Sequence, residues 1–98
     1  MKPNIIVDNQ GRFGYNGELF IIDVEKRDDE HFIQLYMAGT RFRDISESEL
    51  ESSGVVINTL EDFIDVLRIT LEDNWGYSKF NIVIPAELGC ILYNKWRS

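Results

Sequence analysis

Leu60, Phe63, Ile64, Leu67 and Leu71 recur at spacings of three and four residues, which places them on one face of a helix with 3.6 residues per turn. Asn58 or Thr59 can accept a backbone N–H as N-cap, with Glu61 or Asp62 closing a capping box. Gly76 is a natural left-handed stop just after Trp75. The pattern therefore predicts a main helix over about 59–75. Its polar side carries Glu61, Asp65, Arg68 and Glu72, and Arg68 can pair with either Asp65 or Glu72. Ile69 falls in the middle of that polar side, with Asp65, Glu72 and Asp73 one turn away and Asp62 two turns away. It reads either as an apolar anchor inside an acidic rim, as core of a helix covered on two sides, or as a lone exposed residue.

Before this helix the period is two. Ile5–Val7 predicts a short strand that ends at the turn cluster Asp8-Asn9-Gln10-Gly11, and Arg12–Tyr15 its return. Asn16-Gly17 is a strong hairpin signal. Glu18–Glu25 then alternates, with Phe20, Ile22 and Val24 on one face; the charged run 26–30 reads as a solvated connection and His31–Met37 as the next strand. Residues 38–53 are polar, with Ser46 and Glu49 able to cap a single helical turn through Glu51. Val55-Val56-Ile57 predicts a strand feeding the main helix, and Phe80–Ile84 another, stopped by Pro85.

The C-terminal segment reads two ways. Pro85 at the first helical position, Glu87 early, Lys95 and Arg97 late, and the stripe Leu88, Ile91, Leu92, Trp96 suit a short helix. Gly89 opposes it by about 1 kcal/mol, and Gly89–Tyr93 would serve as a strand. The balance favours the helix. The expected fold is a single α+β domain over residues 1–98: an antiparallel meander of four to six strands with the main helix packed on one face.

Composition and charge narrow the classes. The chain has 98 residues, 44% of them hydrophobic, with one cysteine and a net charge of −7, which is the size and make-up of one globular domain without an internal disulfide. No apolar run approaches a membrane span or a signal peptide, so a cytoplasmic protein is expected. The charge is uneven: residues 44–73 hold nine acids (Asp44, Glu47, Glu49, Glu51, Glu61, Asp62, Asp65, Glu72, Asp73) against Arg68 alone. Such a field repels nucleic acid and attracts basic partners.

Candidate chemistry is sparse. His31, the only histidine, has no second histidine or cysteine beside it for a metal, and Cys90 reads as a small buried thiol. Asp8–Gly11 lacks the alternating ligands of a calcium loop. Gly11-Arg12-Phe13-Gly14-Tyr15 has the basic residue on the wrong side of the glycine for an RNA-binding strand. Arg41-Phe42-Arg43 is too small to hold a phosphate backbone and is placed to pair with the acids that follow.

No catalytic residue, metal site or cofactor is predicted. The expectation is a small acidic binding protein that neutralises a basic partner, a monomer or weak homodimer. Its contact surface would hold Asp44, Glu47, Glu49, Glu51, Asp62, Asp65, Ile69, Glu72, Asp73 and Trp75. An immunity protein inhibiting a nuclease-type toxin fits that description best. A phage-type inhibitor of a host defence nuclease, or a structural subunit using Trp75, Tyr77, Trp96 and Ile69, are the alternatives, ahead of a small carboxylate enzyme.

Overall fold

Alternation along β3 (Glu18–Arg27) turns Phe20, Ile22 and Val24 inward, each 6% exposed or less. The computed structural model describes residues 4–15, 17–37, 40–74 and 81–98. β3 pairs antiparallel with β4 (Glu30–Met37) from Phe20↔Met37 to Arg27↔Glu30. Opposed residues share a sheet face, so Ile22 with Leu35 and Val24 with Ile33 form matched pairs in the core. The charged run is thus not a loose connection: both strands extend into it, and the turn is Asp28-Asp29 alone, with φ of 52° and 63°. Positive φ at both central residues is the primed geometry whose twist suits a hairpin.

β2 (Arg12–Tyr15) and β5 (Thr40–Ser46) complete a four-stranded antiparallel sheet in the order β2-β3-β4-β5. Gly17 has φ +77° in the β2–β3 turn, and its neighbour Asn16 lies outside the described residues. β5 is a strand where a polar segment was expected, and the helical turn expected after Ser46 follows it as Glu47–Ser52. The strand is hydrogen-bonded along β4, bulged opposite Leu35/Tyr36, and buries Ile45. Its apolar residues, Phe42 and Ile45, stand three apart in sequence, so the segment shows no period of two to read.

The first strand departs from the meander. β1 (Asn4–Ile6) pairs in parallel with β6 (Asn81–Val83), Ile5 opposite Ile82, as a separate two-stranded sheet. The turn after it is tied by Asp8, whose carboxylate accepts the N–H groups of Gln10 (2.8 Å) and Arg12 (3.0 Å). Gly11 is required there: φ is +80° and a Cβ would stand 2.2 Å from the Ile22 carbonyl oxygen.

The main helix, α2 (Leu60–Asn74), buries Phe63, Leu67 and Leu71 completely. Thr59 Oγ1 accepts the Asp62 N–H (3.1 Å) and Asp62 Oδ2 accepts the N–H groups of Asn58 (3.0 Å) and Thr59 (3.2 Å), a reciprocal capping box. The expected stop at Gly76 lies outside the described residues.

α3 (Ala86–Arg97) is the C-terminal helix, with Pro85 at its N-cap, one residue before the first helical position, and Leu88 and Leu92 buried. Gly89 belongs in it for a packing reason. A Cβ there would come within 2.7 Å of Ile64 Cγ1 and Cδ1, so the absence of a side chain lets α3 close on α2. Cys90 is exposed, not buried as expected, because Gly89 and Leu92 take the inward positions of that turn. Val55–Ile57 is not a strand: no ladder partner meets it among the described residues, and it runs as a connector with Val56 66% exposed. The sheet, α2, α3 and the β1–β6 pair share one core.

Candidate docking surface

The expected acidic surface centres on a short helix, α1 (Glu47–Ser52). Ser46 Oγ caps it by accepting the Glu49 N–H at 3.1 Å. Two contacts clamp its first turn to β4. Glu47 Oε1 accepts the backbone N–H of His31 (2.7 Å) and lies 2.7 Å from its Nδ1. Glu30 accepts the N–H (2.9 Å) and hydroxyl (2.5 Å) of Ser48, and these bonds hold the Glu30 carboxyl below its ordinary pKa. The N–H bonds from Arg12 and Gln10, opposed in part by desolvation, do the same for Asp8.

At its far end α1 stops in a Schellman turn. Gly54, at φ +77°, donates to the Glu51 carbonyl (3.0 Å), and Val55 donates to the Leu50 carbonyl (3.0 Å). The turn folds Val55 back toward Leu50, and both residues line two adjoining grooves. One groove, of about 320 Å³, is walled by Glu47, Glu51, Val56, Ile57 and Trp96. The other, of about 270 Å³, is walled by Arg43, Ile45, Glu49, Val66, Ile69 and Thr70.

Glu47, Glu49, Glu51 and Ile69 of the expected surface are therefore brought together. Ile69 is 48% exposed and forms a groove wall on the side facing Arg43 and Glu49. The others are spent differently. Asp44 takes the Arg27 guanidinium at 2.5 Å, which also pairs with Glu25 (3.1 Å) and covers the Phe32 ring at 4.2 Å. The Asp62 carboxylate closes the α2 capping box, and Asp65 pairs with Arg68 at 3.1 Å. Glu72 is half-buried. The side chain of Asp73, and Trp75 and Tyr77 altogether, lie outside the described residues. Arg43 does pair with the following acids, meeting Glu49 at 3.0 Å.

His31 was not marked by its sequence position. It is 8% exposed, its ring lies 5.6 Å from that of Trp96, and Trp96 in turn lies 5.6 Å from Phe63. Nothing local foretells this, because β5 intervenes between His31 and the helix that supplies Glu47. His31 Nε2, the nitrogen left by the Glu47 contact, is buried without a hydrogen-bond partner among the described residues while Cys90 is exposed on α3, so these two residues form no nucleophilic dyad. Among the described residues no cluster of three or more His, Cys, Asp or Glu could hold a metal, and no helix is long and apolar enough to cross a membrane.

Fold and surface together define an α+β protein with a four-stranded antiparallel sheet and an acidic, grooved flank at α1. Comparison with protein-family models, with curated proteins and with solved structures finds no match to the chain.

Proposed function

We propose that this chain is a small acidic binding protein that docks a basic protein through the α1–α2 flank, in the manner of an immunity protein inhibiting a nuclease-type toxin. One observation carries the reading: three carboxylates, Glu47, Glu49 and Glu51, rim grooves whose walls include the exposed apolar side chains Val56 (66%) and Ile69 (48%). Charges steer a basic partner and fix its register, while desolvated apolar anchors set how long it stays. A nuclease must keep its substrate groove positive to hold phosphates, which makes it a fitting target for a carboxylate-bearing plug. Inhibition of a host defence nuclease uses the same surface and the same chemistry.

An accessory-subunit reading has its own support on a different element. Ile6 and Val83 sit side by side on the outward face of the β1–β6 pair, 66% and 42% exposed.

The test is affinity capture from the native source with the wild-type chain and with a Glu49→Gln/Glu51→Gln/Ile69→Asp variant. Asp62 is left intact because it caps α2. The reading expects a basic nuclease, inhibited by the wild-type chain, released by moderate salt and lost with the variant. Equal retention by both chains refutes it. A salt-resistant complex broken by Ile6→Asp instead selects the accessory-subunit reading.

A further inference from the structure

The groove between α1 and Trp96 has a chemistry of its own, and it differs from its neighbour. In the neighbouring groove the charges are already matched, with Arg43 Nη2 3.0 Å from Glu49 Oε1. The first groove holds Glu47 and Glu51, and among the described residues no cation lines it. Glu47 is bound to His31, whereas Glu51 is exposed and in no ion pair among the described residues. The remaining walls are Leu50, Val55, Val56 and Ile57, closed by the half-buried indole of Trp96.

We infer that this groove is a subsite for one arginine side chain of the basic partner, an inference that rests on the docking role proposed above. Its volume of about 320 Å³ suits a single long side chain. The methylene stem of an arginine lies along Val55 and Ile57, as amphipathic side chains do on apolar surface. Its guanidinium then reaches Glu51 in a planar, two-bond fork and stacks on the indole. An apolar occupant would strip water from two carboxylates without replacing it. A lysine offers one compact, strongly hydrated charge and no fork.

The groove is pre-shaped for this. Trp96 is held by ring contacts to Phe63 and His31, both at 5.6 Å, and the Val55 wall is pinned to α1 by the Schellman bonds. Little ordering is left for the ligand to supply.

The experiment is a titration of the ¹⁵N-labelled chain with N-acetyl-arginine amide, its lysine counterpart and its citrulline counterpart, followed by NMR. The inference expects saturable shifts from arginine at the amides of Glu51, Val56 and Ile57 and at the Trp96 indole N–H. Lysine binds more weakly and citrulline, which lacks the charge, does not bind. Glu51→Gln weakens arginine about tenfold or more, the worth of one charge-assisted hydrogen bond. That variant keeps the turn, because Gly54 bonds the Glu51 backbone carbonyl and not its side chain. Absence of saturation, shifts centred elsewhere, citrulline matching arginine, or indifference to Glu51→Gln each overturns the inference. Failure here alongside a nuclease captured as proposed above removes the arginine subsite alone. Saturable arginine binding alongside equal capture by the rim variant removes the docking role and leaves the subsite.

Discussion

The carboxylate of Glu47 meets both the backbone N–H and the ring Nδ1 of His31, each at 2.7 Å. One acid thereby joins the start of β4 to the start of α1, beside the Glu30–Ser48 contact that joins the same two elements. Because His31 is 8% exposed, water has little access to replace that acceptor. Glu47→Ala is expected to destabilise the fold by about 1–3 kcal/mol, the range for orphaning a buried donor. Glu47→Gln, which keeps a carbonyl acceptor, should lose less. Urea unfolding midpoints at constant m-value measure both.

Gly89 is expected to resist the usual gain from replacing a helical glycine. Alanine would contribute about 1 kcal/mol of helix propensity, but its Cβ falls 2.7 Å from both Cγ1 and Cδ1 of Ile64, so the whole arm of that side chain must move. Overpacking of this kind costs about 1–3 kcal/mol, and Gly89→Ala should be destabilising by about 1 kcal/mol net. In an Ile64→Ala background the obstruction is gone and the same change should stabilise. A double-mutant cycle reads the reversal of sign.

The β3–β4 turn holds two aspartates at φ of 52° and 63°. Asn-Gly meets that geometry with less strain. Asp28→Asn/Asp29→Gly should raise stability by about 1 kcal/mol, the order of the left-handed penalty it relieves at one residue. Thermal unfolding of the double variant against wild type checks it.

Acid should loosen the clamp at α1. Ser48 donates two hydrogen bonds to ionised Glu30 and lowers its pKa in the folded chain. The folded state therefore binds this proton less readily than the unfolded one. The resulting stabilisation is fully present above pH 4.5, where a free glutamate titrates, and is lost as the pH falls through the depressed folded value. Ser48→Ala should lower stability at neutral pH, and the gap should narrow as the pH falls below 4.5. A gap that widens in acid contradicts this account of the clamp.

Much of this molecule follows from local rules. The α2 stripe, its capping box, the Ser46 cap and the alternation of β3 each rest on residues within a turn or a strand of one another, where periodicity and hydrogen-bond reach suffice. Charge, too, is a property of the linear chain, and its crowding into residues 44–73 is plain from the sequence.

Tertiary structure decided what those charges do. Asp44, Glu47 and Glu49 look alike in sequence, yet one is committed to Arg27, one to His31 and one to Arg43. Those partnerships depend on which strands lie side by side. The parallel pairing of Ile5 with Ile82, the place of β5 in the sheet and the need for Gly89 beneath Ile64 are likewise contacts between distant segments. Sequence periodicity reports which face a residue turns inward; what it then touches is set only when the elements pack.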